Sequence, residues 1–254
     1  MRETWYECTI QDFIDTGEAE LKTGPFGTQL KASEYVSEGI PVINVRNIGF
    51  GSIREAKLEH VTEKTARRLS AHVLQAADIV FGRKGAVERH VFITENEAGW
   101  MQGSDCLRLR INSPDVNNRF LSYSFTTERH KRWMMNQCSH GSTMASLNQE
   151  IISRIPLHLP PLPVQRRIAD ILSAYDDLIE NNRRRIELLE EMAQAVYREW
   201  FVEMRFPGHE NATMRETESL GPVPEGWEVA KLKDMVDINR ANVQKDNAPE
   251  TIHY

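Results

Sequence analysis

A heptad pattern in the second half of the chain constrains its fold more than any other feature of the sequence. Apolar residues follow one another there at steps of four and three residues without a break. This period keeps one stripe of a helix against a partner helix along its whole length. We therefore predict a long helix from about Val164 to about Met204 with a pairing stripe, the seam. The seam consists of Ile168, Leu172, Tyr175, Ile179, Asn182, Ile186, Leu189, Ala193, Val196 and Trp200.

Prolines and one polar seam residue define the limits and the register of this helix. The prolines at positions 160, 161 and 163 disfavour helix until the chain has turned, and Pro163 suits a first helical turn. The segment from Phe206 to Gly208 contains Pro and Gly and predicts the end of the helix. Asn182 is the polar member of the seam, and a buried asparagine at such a position fixes register at some cost in stability.

The 155 residues ahead of this segment predict an α/β (α+β) domain with a small mixed sheet, followed by the coiled-coil-forming helix. Short runs rich in β-branched and aromatic residues predict strands. They are Ile40–Arg46, Asp78–Phe81, Val91–Thr94, Cys106–Ile111 and Ile155–Leu159. The range Val116–Asn136 has helical spacing without proline or glycine. Its shared face would contain Phe120, Leu121, Ser124, Phe125 and Trp133. Ser146 is the candidate N-cap of a short helix that follows.

An internal repeat indicates a second module. The segment Trp227–Asp237 matches Trp5–Asp15 at an offset of 222 residues, with Trp, Asp and Asp in common and apolar residues at the same places. This period is too long for a solenoid and indicates two similar modules. We therefore divide the chain into a first domain at 1–155, a proline turn and long helix at 156–206, a linker at 207–223, and the start of a second module at 224–254.

The charge distribution leaves a nucleic-acid partner open. The chain has a formal net charge of −6, with 31 Lys and Arg against 37 Asp and Glu. Residues 1–155 carry 19 of each kind and are neutral, whereas 156–206 carry 7 against 9 and 207–254 carry 5 against 9. The acidity therefore lies in the helix and the tail, and a neutral first domain can present a basic face.

Other features disfavour membrane, secreted, metal-binding and catalytic classes. The sequence has no run of 18 apolar residues and no signal-peptide pattern, so neither a membrane span nor secretion is expected. Cys8, Cys106 and Cys138 are far apart, as in reduced thiols of a cytoplasmic protein. The eight histidines lack metal-ligand spacing, and the turn from Gly82 to Gly85 lacks phosphate-loop spacing. We predict no metal site and no catalytic residues.

Several segments together resemble the specificity subunit of type I restriction–modification systems. They are LPPLPVQRRIADIL with the long helix, YREWFVEM, GSTMASLNQEIISRIPLHLP, GPFGTQLKASEY and PVINVRNI. VPEGWEVAKLKDMVDI resembles the opening of the second target-recognition domain of that family. The resemblance implies that the first domain is a target-recognition domain and that the chain is truncated early in its second one.

The family resemblance also implies an assembly. In this family two target-recognition domains each bind half of a bipartite DNA site, and two long helices pair antiparallel to set the spacer. Methyltransferase subunits dock on this frame and carry the S-adenosylmethionine chemistry, so no cofactor is expected in this chain. The expected partners are double-stranded DNA and methyltransferase subunits, with the restriction (translocase) subunit as a further candidate. Because this chain has only one such helix, we expect two copies to pair their helices as an antiparallel homodimer.

The candidate DNA contacts are polar and basic residues on loops. Arg83, Lys84 and Gly85 form a turn after the strand at 78–81, where the family has a similar D-I-x-x-x-R segment. Side chains that can bind base edges or phosphates follow other predicted elements as well. They are Arg46, Asn47, Gln102 and Ser104, together with His140, Ser142 and Thr143 in a polar turn before a helix. For each of these, a solvated loop residue or a helix cap is the competing interpretation.

Two functions of other classes remain as alternatives. The first is a structural or regulatory protein that dimerises by coiled coil and binds no DNA, but such a protein does not need the repeat at Trp227. The second is a fragment of a combined restriction–methylation enzyme. That alternative is disfavoured because the sequence contains neither a PD…(D/E)xK nuclease motif nor a methyltransferase motif.

Overall fold

The computed structural model describes residues 4–85, 87–138, 146–217, 221–228 and 230. The chain divides into two compact units, residues 1–179 and residues 180–254. Most of the repeat that begins at Trp227 lies outside the described residues.

The first unit alternates short strands with short helices. Its strands are β1 (Tyr6–Thr9), β2 (Ala19–Thr23), β3 (Tyr35–Val36), β4 (Ile40–Ile43), β5 (Phe50–Gly51), β6 (Glu59–Val61), β7 (Ile79–Gly82), β8 (His90–Phe92), β9 (Met101–Gln102), β10 (Cys106–Ile111) and β11 (Pro156–Leu159). Its helices are α1 (Ile10–Asp15), α2 (Glu63–Arg68), α3 (Asn118–Phe125), α4 (Glu128–Cys138) and α5 (Gln149–Ser153). The long helix α6 (Leu162–Tyr197) begins in this unit and continues into the second.

Two mixed sheets and one strand pair organise the first unit. A five-stranded sheet has the order β2-β10-β7-β8-β5, and a four-stranded sheet has the order β3-β6-β4-β9. Each contains one parallel pair, β5 with β8 and β4 with β9, and is otherwise antiparallel. β1 pairs antiparallel with β11. The predicted α/β fold class with small mixed sheets and a long helix is therefore confirmed.

β10 connects two cores, because its two faces enter different ones. Leu107, Leu109 and Ile111 point into the main core, which the helices α1, α3, α4 and α5 cover. Cys106 points into the second core, as the two-residue period of a strand requires. Its bounds confirm the strand predicted for 106–111. On the same face as Cys106, Arg110 makes two 2.7 Å hydrogen bonds to the buried carboxylate of Asp78.

The predicted helix at 116–136 is corrected to two helices, α3 and α4. Two threonines interrupt it, because their hydroxyl groups bond the backbone instead of leaving it to the helix. Thr126 Oγ1 donates to the carbonyl of Tyr123 and Thr127 Oγ1 donates to that of Ser124, both at 2.7 Å. The predicted apolar face persists across the break: Phe120, Leu121 and Phe125 are buried, and Trp133 packs against the same core.

The predicted N-cap at Ser146 is also wrong. Helix α5 begins at Gln149, and its cap is Asn148, whose Oδ1 accepts the backbone N–H of Ile151 at 2.8 Å. Ser146 instead forms an isolated antiparallel bridge with Lys84. The backbone at Ser146 is used across the domain, so it is not available to start a helix.

The start of α6 is part of the first unit. Gln165 is fully buried, and its Oε1 accepts the backbone N–H of Asn117 at 2.9 Å. Its Nε2 donates to the carbonyls of Asp115 and Pro160 at 3.0 and 2.9 Å. One turn later Ala169 is buried in the main core. Burial of this first turn, with Pro163 at its second position, explains why the helix begins at Leu162.

The second unit contains the end of α6 and a small aromatic cluster. A π-helical turn at Arg198–Val202 follows the regular helix, which therefore ends earlier than the predicted Met204. The rings of Phe201 and Phe206 each lie 5.5 Å from that of Trp227. The predicted linker at 207–223 contains structure, namely a 3-10 turn at His209–Asn211 and the antiparallel strands β12 (Met214–Thr217) and β13 (Gly221–Pro224).

Among the residues described, none of the helices combines the length and the apolar character needed to cross a membrane. Cys106 and Cys138 are free thiols. Burial raises the pKa of the Cys106 thiol, and the charge of Asp105 raises it further. Its Sγ donates to the carbonyl of Ile43 at 3.3 Å, so this thiol joins strand β10 to the end of β4.

Two histidines are buried in the main core beside Phe125. The imidazole of His90 bonds the hydroxyl of Ser122 at 2.9 Å, and that of His130 stacks on the Phe125 ring at 4.6 Å. Burial, together with the nearby charge of His130, lowers the pKa of His90 to about 3. Burial lowers the pKa of His130 to about 4. Both side chains are therefore neutral in the native protein at neutral and mildly acidic pH.

We expect these histidines to make the protein less stable as the pH falls from about 6.5 toward 4. In that range the unfolded chain binds protons that the native state does not bind, so the free energy of unfolding decreases. Each histidine should cost about 2 kcal/mol at pH 5, from about 1.4 kcal/mol per pKa unit. Urea unfolding of the wild type and of His130→Phe at several pH values measures this. An identical pH slope in the two proteins would contradict the assignment.

Candidate nucleic-acid interface

Five loop segments meet at one edge of the first unit and form what we call the loop cluster. They are residues 24–29, 44–47, 82–85, 102–105 and 146–149. Backbone hydrogen bonds connect them: the N–H of Gly103 donates to Ile43 O, that of Arg83 donates to Asp105 O and that of Gly24 donates to Cys106 O, each at 2.9 Å. The N–H of Leu147 donates to Arg83 O at 2.8 Å. Segments that are distant in sequence are therefore held together at the ends of β2, β4, β7 and β9.

Two glycines allow this close packing. A Cβ on Gly24 would lie 1.8 Å from the carbonyl oxygen of Gly103, which is an impossible contact. A Cβ on Gly103 would lie 2.2 Å from Asn44 Oδ1 and 2.6 Å from Ile43 O. Because backbone meets backbone at both places, these loops have little freedom to change their spacing.

The turn after β7 presents the basic residues predicted from sequence. Arg83 is half-buried, and within the described residues its guanidinium has neither a hydrogen bond nor an ion pair. Lys84 is exposed, and its Nζ lies 3.6 Å from the carboxylate of Asp105. Gly85 has a φ of +80° and open space around it, so the chain reverses there without a side chain.

Arg46 and Asn47 lie in a 3-10 turn after β4, but their side chains differ in role. Arg46 is exposed and forms a 2.8 Å ion pair with Glu59. Asn47 is fully buried, with its Nδ2 donating to the carbonyl of Arg54 at 2.8 Å and its Oδ1 accepting the N–H of Asn44 at 3.1 Å. Asn47 thus holds the loop in shape and has no exposed side-chain atom for a ligand.

Gln102 and Ser104, in the next polar segment, also differ in role. Gln102 is fully buried, and its Nε2 donates to the carbonyls of Lys22 and Cys106 at 2.8 and 3.0 Å. Ser104 is half-exposed at the tip of the turn. The predicted contacts His140, Ser142 and Thr143 lie outside the described residues. Structure therefore leaves Arg83, Lys84, Gly85, Arg46 and Ser104 accessible in the loop cluster.

Phe26 is an exposed member of the cluster that sequence reasoning did not single out. It lies in the loop after β2 and is 59% exposed, and its backbone carbonyl accepts the N–H of Gln29 at 2.7 Å. The sequence contained a signal for it, because Phe26 is an aromatic residue between Pro25 and Gly27 in a segment that predicts a loop. Exposed rings of this kind can stack on sugars or unstacked bases.

The electrostatics of the loop cluster depend on carboxylates that lie beside the cations. Asp105 and Glu59 partly neutralise Lys84 and Arg46, and Asn44 Nδ2 also donates to Glu59 at 2.7 Å. Arg83 is the cation of the cluster that no described carboxylate neutralises. In the described part of the chain, His, Cys, Asp and Glu do not gather in groups that could hold a metal ion. This arrangement suits the binding of an anion or of a base edge.

The seam of α6 is a second exposed surface. Seven apolar seam residues are between 38% and 63% exposed, namely Leu172, Tyr175, Ile179, Ile186, Leu189, Val196 and Trp200. Asn182 and Ala193 are exposed as well, while Ile168 is half-buried against the main core. Burying such side chains stabilises by about 25 cal/mol per Å² of apolar surface removed from water. The seam is therefore an apolar surface without a partner in the chain as described.

Comparison with known proteins identifies relatives. The family described as Type I restriction modification DNA specificity domain matches residues 3–191. The type I restriction enzyme MjaIX specificity subunit of Methanocaldococcus jannaschii is 27% identical over 247 residues, which cover 96% of this chain and 54% of that protein. The HindI specificity subunit of Haemophilus influenzae is 24% identical over 165 residues, which cover 63% of this chain and 36% of that protein.

A solved structure agrees in fold. The S subunit of a type I restriction–modification system from M. genitalium superposes with a TM-score of 0.55 at 17% identity, covering 79% of this chain and 46% of that one. At that identity the likeness concerns the fold alone. The chain spans about half the length of the relatives that it matches most fully.

We expect Gly24→Ala to destabilise the protein by about 2–3 kcal/mol, the scale of an overpacked contact. The added methyl group meets the Gly103 carbonyl, and two backbones must separate. Gly27→Ala is the matched control in the same loop, because a Cβ there has nothing within 4 Å, and it should stay within about 0.5 kcal/mol of the wild type. Urea unfolding measures both variants. Equal stability of the two would contradict the close approach.

Proposed function

The chain belongs to the family of type I restriction modification DNA specificity domains, and from this premise we propose that it recognises one half of a bipartite DNA site for a restriction–modification complex. The observation that carries this proposal is the loop cluster, in which three of the four loop segments predicted from sequence meet at one edge of the first unit. A base-recognising surface needs several short polar segments held in fixed relation, because each base edge must meet its donor or acceptor within hydrogen-bond distance.

Within the cluster, we propose Arg83 as the main contact to a base or a phosphate. Its guanidinium is free of any described carboxylate, and arginine can bind the O6 and N7 of guanine through two hydrogen bonds. The turn that carries it is fixed on both sides by backbone bonds to Asp105 and Leu147. A fixed turn loses little conformational entropy when the side chain binds, so more of the contact energy remains for recognition.

Lys84 and Arg46 are proposed as phosphate contacts. Each has an exposed carboxylate partner, and such surface pairs contribute little because both groups remain hydrated. A phosphate of the DNA backbone can therefore replace the carboxylate at small cost and position the domain on the duplex. We propose Ser104, Gly85 and Phe26 as neighbouring contacts and assign Asn47 and Gln102 the role of holding the loops.

We propose that the long helix supplies the distance between two half-sites. The exposed seam needs a second helix, and the antiparallel helix of a second copy would place two recognition domains at opposite ends of one frame. Methyltransferase subunits would bind this frame and bring S-adenosylmethionine, and the restriction subunit would join them, so this chain is proposed as the non-catalytic member. A coiled-coil dimeriser without DNA binding is not favoured, because the family match includes the whole domain ahead of the helix.

We expect Arg83→Ala to weaken binding to the target by about 1–3 kcal/mol if the side chain contacts a base, and to weaken target and scrambled DNA alike if it contacts phosphate. The measurement is fluorescence anisotropy with labelled duplexes and the chain in complex with its methyltransferase. Arg67→Ala is the control, because Arg67 lies on α2, is 81% exposed and pairs with Glu63 outside the cluster. Unchanged affinity for both duplexes removes Arg83 from the interface.

We expect adenine methylation in cells that contain this chain and its methyltransferase to fall on a palindromic bipartite site. Two identical recognition domains related by a two-fold axis must recognise identical half-sites on opposite strands. Genome-wide methylation mapping gives the half-site, the spacer and the symmetry together. An asymmetric bipartite site would mean that a different recognition domain supplies the second half, and the homodimer would be discarded.

A further inference from the structure

An open apolar cleft of about 680 Å³ lies in the first unit beside the start of α6. Its walls come from α3, α4, the β1–β11 pair and the first turns of α6. Aromatic and aliphatic side chains dominate these walls, and Trp5 is 63% exposed. The main apolar lining residues are Trp5, Phe120, Trp133, Leu157, Ile168 and Leu172. Surfaces of this kind are unusual on a free domain and mark sites where another apolar group binds.

The cleft is the continuation of the seam. Ile168 and Leu172 are the first two seam residues and also line the cleft. A helix that covers the seam along its full length therefore passes directly over the cleft. Whatever side chain that helix carries at its last seam position must lie at or within the cleft.

The spacing of the seam identifies the side chain that a second copy would bring there. The steps between its ten residues alternate four and three and begin and end with four, so the spacing is the same in both directions. Two copies can therefore pair antiparallel with all ten positions opposed. This register places Ile168 opposite the partner's Trp200 and Leu172 opposite the partner's Val196.

The side-chain sizes support the same register. It places Tyr175, a large residue, opposite the partner's Ala193, the smallest in the seam, as close packing of two helices requires. A shift by one heptad in either direction would leave two of the ten seam positions of each copy unpaired. The full register therefore buries the most apolar surface, and burial is the driving force for pairing.

We propose that the cleft binds the indole of the partner's Trp200, at the end of an antiparallel helix pair between two copies of this chain. The proposal rests on the homodimer of the proposed function and goes further by naming what fills the cleft. Trp200 is 38% exposed, and tryptophan is the residue most enriched among side chains that anchor interfaces. Two-fold symmetry provides two such contacts in each dimer.

The contact has a mechanical consequence for recognition. Helix pairing alone joins two copies through α6, whereas Trp200 in the cleft also ties the end of each helix to the recognition domain of the other copy. Each recognition domain is then held both by its own α6 and by the partner's Trp200, so the distance between the two loop clusters is fixed more firmly. A fixed distance is the property that sets one spacer length in a bipartite site.

Disulfide cross-linking of the full chain tests the register. Leu172→Cys and Val196→Cys are prepared in separately tagged chains and mixed, which leaves Trp200 in place. We expect a disulfide between the two different chains under mild oxidation. Leu172→Cys mixed with Leu189→Cys is the control, because these positions are opposed only after a shift by one heptad. Cross-linking of Leu172→Cys to itself would indicate parallel helices and overturn the proposal.

The occupant of the cleft is tested by the dissociation constant of the dimer, measured by sedimentation. We expect Trp200→Ala to raise it about tenfold or more, as the loss of a buried aromatic anchor does. Val202→Ala is the control, since Val202 is exposed at the same end of the helix but lies off the seam. Ser124→Trp, which fills the cleft from the other side, should also raise the dissociation constant of the dimer. If Ser124→Trp does not fold, Asn136→Trp replaces it.

The outcomes separate this inference from the function on which it rests. If the wild type stays monomeric at every concentration, both the homodimer and the cleft contact are wrong. The Arg83 experiment is unaffected by that result. A dimer with the expected cross-link but with unchanged dissociation constants for Trp200→Ala and the cleft-filling variant keeps the helix pair and discards Trp200 as the occupant. A dimer without the expected cross-link discards the register.

Discussion

The three hydrogen bonds of the buried Gln165 side chain fix the start of the long helix within the first unit. They saturate both ends of the amide against carbonyl and N–H groups of the loops before α3 and before α6 itself. A buried amide that lost these partners would cost about 1–3 kcal/mol, so the helix start is strongly held. The first turns of α6 in turn determine where a second helix that packs on Ile168 and Leu172 must lie relative to the loop cluster of this unit.

The interface of the first unit combines rigid backbone with few free charges. Glycine-mediated contacts at Gly24 and Gly103 hold the loops, and buried amides of Asn47 and Gln102 hold them from beneath. The domain as a whole is neutral, and its exposed cations at the loop cluster mostly have carboxylate neighbours. Such a surface gains less from long-range attraction to DNA than a basic one does, so recognition would depend more on shape and on specific contacts than on net charge.

The fold could be predicted where a residue pattern has one physical meaning. The alternation in Cys106–Ile111 required a strand, and the heptads required a long helix with an apolar seam. Apolar and polar patterns failed where hydrogen bonds, local or between distant segments, decided the structure. The threonine pair at 126–127 ended a helix that periodicity continued, and the backbone of Ser146 was taken by Lys84, 62 residues earlier in the chain. The same reason explains Asn47 and Gln102, since polar residues on loops look alike in sequence whether they face solvent or the interior.

The sequence by itself determined the period and the apolar character of α6, because these depend only on which residues recur at which spacing. It also determined the family, since the order of several weak motifs is preserved along the chain. Only the tertiary structure decided which loops meet, which polar side chains remain exposed, and that the seam runs into an apolar cleft. Those properties depend on contacts between segments tens of residues apart, whose distances are set by the packing of the whole domain.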